Sequence, residues 1–290
     1  MSMFNPQLQI ISDLHLETPL AIPSYSKFRL QLHSNILCLL GDIGLVKDAG
    51  LFTFLENLLS STSNLRIFYV LGNHEAYQMT LQKACQTLEQ FEQRMRTRYG
   101  HRFHFLNGTR YDLTPEITIL GCTLWTHIPK QAASEAQNRL TDFNDRGIKD
   151  RDVNEHNSDH EKDLSWLNSQ VQQIEEAEPH RRIIILTHHS PTTDPRANDP
   201  RHNDRPENSI QSGFVTDLSK EHCWISPAVK AWAFGHTHYS CLFRDEQTDK
   251  LVVANQKGNL KSTCLPASRG GKVLLKSSEK RTEFKHYIPM

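Results

Sequence analysis

Ile67-Phe68-Tyr69-Val70-Leu71-Gly72-Asn73-His74-Glu75 is an apolar run that stops at a glycine and turns polar. The run has the length of a fully buried strand, and the residues after it are types that hold metals or move protons. The same unit recurs along the chain. Run 8–11 is followed by Asp13 and His15, and run 36–40 by Gly41 and Asp42. Run 183–186 is followed by Thr187, His188 and His189, and run 231–234 by Gly235, His236 and His238. Runs 117–120 and 251–254 are further expected strands. Continuous rather than alternating hydrophobicity implies strands covered on both faces.

Helical patterns lie between these runs. Leu81, Ala84, Leu88, Phe91 and Met95 keep a 3.6-residue period, and Gly100 is placed to stop that helix. Leu164, Leu167, Val171 and Ile174 do the same, with Ser158 and Glu161 as the expected capping box and Pro179 beyond the end. Residues 51–59 form a third pattern. Strands alternating with helices argue an α/β fold. Two polar stretches, 126–157 and 194–222, are too long for ordinary connections and read as loop insertions. The chain reads as one domain over 1–290, with a loosely held tail from about residue 277.

The 290 residues carry 33 Lys and Arg against 33 Asp and Glu. That balance excludes a strongly basic nucleic-acid clamp and an acidic disordered tail. No run approaches the roughly 18 apolar residues of a membrane span, and the N-terminus lacks the features of a secretory signal. The six cysteines form no Cys-x-x-Cys pair. They read as reduced thiols, and the expected location is cytoplasmic.

In open α/β sheets, ligands bind beyond the carboxyl ends of the strands. Five strand ends would bring Asp, Asn and His to one crevice. A mixed nitrogen and oxygen set suits Mn, Fe or Zn. These groups are too many for one four-coordinate ion and suit two ions sharing a bridge, a clamp for in-line displacement at phosphorus. Asp-x-His or His-x-His alone is weak. Gly-Asn-His is expected by chance on the order of 0.04 times in such a chain. The ordered set carries the weight.

The order Asp13-x-His15, Gly41-Asp42, Gly72-Asn73-His74-Glu75, His188, Gly235-His236-x-His238 resembles the calcineurin-like metallophosphoesterase superfamily. The resemblance spans residues 13–238. It implies a four-layer αββα sandwich, two mixed β-sheets flanked by helices. It also implies a dimetal phosphoesterase using two divalent or trivalent ions (Mn2+, Fe2+/Fe3+ or Zn2+). Asp13, His15 and His238 would bind the first ion. Asp42 would bridge, and Asn73, His188 and His236 would complete the second. A hydroxide between the ions would attack phosphorus. His74 would be catalytic rather than a ligand, stabilising the phosphoryl group or protonating the leaving oxygen. Glu75 would support the turn.

The departures narrow the branch. Protein Ser/Thr phosphatases carry Gly-Asp-x-x-Asp-Arg-Gly, where the second Asp orients the catalytic His. This chain reads Gly41-Asp42-Ile43-Gly44-Leu45-Val46-Lys47. Asp48 is the nearby acid that could stand in. Ser12-Asp13-Leu14-His15-Leu16-Glu17 also differs from their Gly-Asp-x-His-Gly. A small-molecule phosphoester is the expected partner, with no membrane and no nucleic-acid groove. Specificity should come from the insertions. Segment 194–222 is expected to wall or lid the site, with Arg196, Arg201, His202 and Arg205 able to meet a phosphate and Asp194, Asp199, Asp204 and Glu207 offsetting them. Segment 126–150 is the second candidate wall, with His127, Asp142, Asn144 and Arg146, and any one of these residues taken alone reads as solvated. His189 reads as either packed behind a ligand or exposed. Two alternatives remain open: a dimetal enzyme acting on a non-phosphate substrate, and a degenerate binding module.

Overall fold

The computed structural model describes residues 6–200, 210–257 and 272–274. Eleven strands among them form two sheets. The first uses β1 (Gln7–Ile11), β2 (Ile36–Leu40), β3 (Arg66–Val70), β4 (Phe103–Leu106) and β11 (Lys272–Leu274), in the order β11-β1-β2-β3-β4. The second uses β5 (Thr109–Thr114), β6 (Ile117–Gly121), β7 (Arg182–Leu186), β8 (Val229–Phe234), β9 (Cys241–Arg244) and β10 (Leu251–Ala254), in the order β5-β6-β7-β8-β10-β9. Strands β1 to β4 are parallel, as are β6, β7, β8 and β10. Edges β11, β5 and β9 run antiparallel, so both sheets are mixed.

Alternate residues of each strand face opposite ways. Cys38, Leu40, Phe68 and Val70 pack inward against Ile119, Ile184, Leu186, Ala233 and Val253 of the other sheet. Leu37, Leu39, Ile67 and Tyr69 pack outward on α1 (Ala49–Ser61) and α2 (Leu81–Tyr99). Ile183, Ile185, Trp232 and Val252 pack outward on α4 (Val153–Ala177) and the short α5 (His222–Ile225). The result is the expected four-layer αββα sandwich. Both faces of the central strands are dry, which is why their sequences are continuously apolar.

The expected strands and the stop at Gly100 are present; Gly100 has φ +71° and its N–H reaches Arg96 O. Three expectations need correction. The long helix α4 starts at Val153, not after Ser158. Its capping box is Asp152 with Glu155, whose side chains bond each other's backbone N–H. Buried His156 and His160 extend its inward stripe N-terminally, where a polar reading of histidine hides it. Stretch 126–157 is not all loop: it holds α3 (Lys130–Arg139), whose inward face is only Ala132 and Ala136. Strands β4, β5, β9 and β11 are not among the expected runs; β5 and β9 have no fully buried residue, so neither shows a continuous apolar run. The tail beyond 274 and Cys264 lie outside the described residues, as does 201–209 with Arg201, His202, Asp204, Arg205 and Glu207. The other five cysteines are free thiols. Among the described residues no helix is long and apolar enough to cross a membrane.

Candidate metal centre

The carboxyl ends of β1, β2, β3, β7 and β8 meet at one edge of the sandwich. Asp13 N–H reaches Gly41 O at 3.0 Å, and Gly235 N–H reaches His188 O at 2.8 Å. Asp13, His15, Asp42, His236 and His238 all hold left-handed backbone, with φ between +46° and +68°. Each such L-residue costs about 1–2 kcal/mol. The turns accept that cost to swing the side chains over the crevice. Two glycines make room. A Cβ on Gly72 would stand 2.3 Å from Asp42 Oδ1, and one on Gly41, at φ +81°, 2.4 Å from His188 Nδ1.

The seven sequence-predicted ligand residues come together as two overlapping groups that share Asp42. One is Asp13, His15, Asp42 and His238; the other is Asp42, His188 and His236, with Asn73 beside it. In the second group the protons can be placed. His188 Nδ1 donates to Leu40 O at 2.8 Å, so its Nε2 is a bare lone pair. His236 Nε2 donates to Gly213 O at 3.3 Å, so its Nδ1 is bare too. Asn73 spends its Nδ2 protons on Tyr77 OH at 2.9 Å and Asp142 Oδ1 at 2.8 Å, which turns Oδ1 the other way. These acceptors converge: His188 Nε2 lies 3.1 Å from His236 Nδ1, 3.1 Å from Asn73 Oδ1 and 3.5 Å from Asp42 Oδ1. Four acceptors with no proton between them repel one another, and a cation is what relieves that. Ligand atoms about 2.0–2.2 Å from one ion are themselves about 3–3.5 Å apart, so the spacing fits.

The first group has the same character. His15 Nδ1 donates to Glu17 Oε1 at 3.1 Å, which aims its Nε2 at His238 Nε2, 3.0 Å away. Asp42 Oδ2 lies 3.8 Å from His15 Nε2, and Asp13 Oδ1 lies 3.4 Å from His238 Nε2. Burial alone would raise Asp42, but the imidazole of His74 beside it is the largest influence holding it far below the usual carboxylate range. Burial pushes His236 down to about 3, so it is neutral and free to ligate.

His74 stands beside these groups, with Nε2 3.9 Å from Asp42 Oδ2. Its Nδ1 bonds Glu17 Oε1 at 3.0 Å. Glu17, not Asp48, is therefore the acid that holds the His74 ring. Asp48 instead accepts a hydrogen bond from Tyr25 OH. Against the effect of burial, the Asp42 charge and the Glu17 bond raise His74 to about 9. Burial would likewise raise Glu17, but its bonds to His15 and His74 hold it at about 2. Glu75 is wholly buried and accepts from the backbone N–H of Asp42, Ile43 and Gly72 and from Tyr69 OH. It ties the Gly41-Asp42 and Gly72-Asn73 turns together.

Other expectations shift. Asp142 is not solvated: it is 5% exposed and anchors Asn73 and Tyr77. His127, Asn144 and Arg146 are exposed. Arg196 forks onto Asp194, lies over the Phe243 ring and does not line the cavity at the centre. His189 is fully buried, its ring 4.2 Å from that of His236; burial keeps it neutral. The described ends of segment 194–222 do form a wall. Asn198, Asp199, Ile210, Gly213, Phe214 and Val215 line a cavity of about 390 Å³ that opens on Asp42, Asn73, His74, His236 and His238. Glu17 had a local signal, an acid two residues after His15. Asp142 and Phe214 had none.

Comparison with known proteins agrees with this geometry. The family model for calcineurin-like phosphoesterases matches residues 8–240, and the chain belongs to that family. It is 26% identical over 276 residues to an uncharacterized protein, L509, of Acanthamoeba polyphaga mimivirus, covering 87% of this chain and 90% of that one. Its fold is similar to the crystal structure of a phosphopantetheinyl hydrolase from Mycobacterium tuberculosis, with TM-score 0.66 and 14% identity over 92% of this chain and 95% of that one. It is also similar to a dimetal phosphatase from Danio rerio, with TM-score 0.56 and 14% identity over 97% and 95%. Family membership and the buried His/Asp cluster together point to a dimetal site.

Proposed function

We propose that this chain is a metal-dependent hydrolase of a small-molecule phosphoester. The observation that carries the reading is the convergence of proton-free acceptors from Asp42, Asn73, His188 and His236. Asp13, His15 and His238 would hold one ion, Asn73, His188 and His236 the other, with Asp42 between them. The mixed nitrogen and oxygen donors suit Mn2+, Fe2+/Fe3+ or Zn2+. When bound, the two cations supply Lewis acidity toward a nucleophilic water and positive charge against the phosphoryl oxygens.

The chain's own residues do the rest. Glu75 fixes the two turns that present Asp42 and Asn73. Glu17 holds the Nδ1 protons of His15 and His74, so both imidazoles present Nε2. His74 is 29% exposed and faces the cavity, placed to deliver a proton to the departing oxygen. An intact donor set speaks against a degenerate binding module.

Chelation should abolish hydrolysis of an aryl phosphate, Mn2+ should restore it, and the protein should carry two ions per chain. Hydrolysis that survives Asp42→Asn combined with His236→Ala would sink the reading.

A further inference from the structure

The cavity is two-sided. One end is the polar cluster. The far wall is Leu140, Ile210, Phe214 and Val215. The Phe214 ring stacks on His236 at 4.9 Å and 23°, so apolar surface begins one ring away from the reacting centre. This wall is built. Ile210 and Phe214 pack on the Ile128, Ala132, Ala136, Leu140 and Val153 cluster. A Cβ on Gly213 would stand 2.5 Å from Leu140 Cδ1, so the two insertions interlock there. Val215 pairs with Ser190, two residues beyond His188.

Several polar groups around the cavity are already engaged. Asp142 holds Asn73 and Tyr77; Arg139 pairs with Glu135; Asn198 donates to Asp194 O; and Thr237 Oγ1 accepts from Gln256. Beside the polar side chains of Thr141, Asp199 and Gln211, the wall offers an occupant apolar and aromatic surface. Cavities of a few hundred Å3 enclose small molecules, not a folded protein's surface.

We infer that this cavity is the leaving-group subsite, and that the substrate class is phosphoesters whose alcohol carries a flat aromatic or heteroaromatic ring. The inference rests on the phosphoesterase reading. In the reaction, the oxygen of one water bonds to phosphorus and the bond from phosphorus to the ring-bearing alcohol's oxygen breaks. One proton of that water ends on the departing oxygen through His74. Nothing is oxidised or reduced. Phe214 and Ile210 act on specificity by holding the ring.

The test uses the metal-loaded protein and two non-hydrolysable probes, phenylphosphonate and methylphosphonate, titrated by calorimetry. They share the phosphonate and differ in the ring. The wild type should bind phenylphosphonate about ten-fold or more tightly than methylphosphonate. Phe214→Ala should bring that ratio close to one. Ile210→Ser leaves the stacking ring of Phe214 on His236 in place, should lower the ratio several-fold and guards against loss of metal in the first variant. The ratio of kcat/KM for phenyl phosphate over ethyl phosphate, divided by the same ratio in each variant, cancels intrinsic leaving-group reactivity and should follow the binding data. Equal affinity for the two phosphonates in the wild type, or a ratio unmoved by both variants while ester turnover persists, overturns the subsite alone. No phosphonate binding and no ester turnover at full metal loading overturns the phosphoesterase reading and the subsite with it.

Discussion

Glu17 is the residue whose replacement tests the site most sharply. It is 2% exposed, and one oxygen accepts Nδ1–H from both His15, at 3.1 Å, and His74, at 3.0 Å. Glu17→Gln keeps the shape and leaves an amide oxygen able to accept both protons; the charge is lost and an amide NH2 takes the place of the buried, unpartnered Oε2. Hydrogen bonds to a charged group contribute about 1.5–3 kcal/mol and neutral ones about 0.5–1.5, a difference of about 1 kcal/mol per imidazole. That is about five-fold in each property. The apparent dissociation constant for the first ion should rise about five-fold through His15. At saturating metal, kcat/KM for an aryl phosphate should fall about five-fold through His74. Glu17→Ala strips the acceptor from two half-buried or buried N–H groups at about 1–3 kcal/mol each, so both effects grow to roughly ten- to a hundred-fold. Metal titration calorimetry reads the first effect and steady-state kinetics the second. Imidazole nitrogen NMR should show the Nδ1–H groups of His15 and His74 losing their fixed hydrogen bond. Asp48→Asn is the control: Asp48 meets Tyr25 and not His74, so kcat/KM should stay within two-fold. The reasoning is refuted if Glu17→Ala keeps kcat/KM and metal affinity within two-fold, or if Asp48→Asn falls as far.

Two further outcomes follow from other parts of the molecule. Asp142→Ala frees the Asn73 amide to rotate, so affinity for the second ion should drop roughly ten- to a hundred-fold; at limiting metal, elemental analysis should find stoichiometry falling toward one ion per chain. Burial raises Asp163 to about 7, while its carboxylate accepts Leu124 N–H at 2.7 Å. The folded state therefore binds this proton more tightly than the unfolded chain does. The group's contribution to stability is complete below about pH 4 and is lost as pH rises through about 7. Asp163→Asn keeps the acceptor and removes the titration, so the variant should gain about 2 kcal/mol on the wild type between pH 4 and 8, discounting for the edge that reaches solvent. A difference in unfolding free energy that does not change with pH would contradict this.

Several features were legible because they are local. A strand dry on both faces must be apolar at every position, and 36–40 and 183–186 advertise that directly. Gly72 and Asn73 are adjacent in the chain, so their pairing is written in the order of residues. Helix α3 was hidden because two alanines suffice to bury its inner face under a loop. The start of α4 was misplaced because Asp152-x-x-Glu155 and Ser158-x-x-Glu161 offer the same capping pattern, and only the burial of His156 and His160 selects the earlier one.

By itself the sequence determined which chemical groups stand at the strand ends. Tertiary structure decided where each lone pair and proton points. His188 is a ligand candidate through its Nε2 because Leu40 O, 148 residues away, takes its other proton. Asn73 presents oxygen because Asp142, 69 residues on, holds its amide hydrogens. An imidazole or a carboxamide has two faces of opposite hydrogen-bonding sense. Which one meets the crevice is set by a partner that only folding brings near.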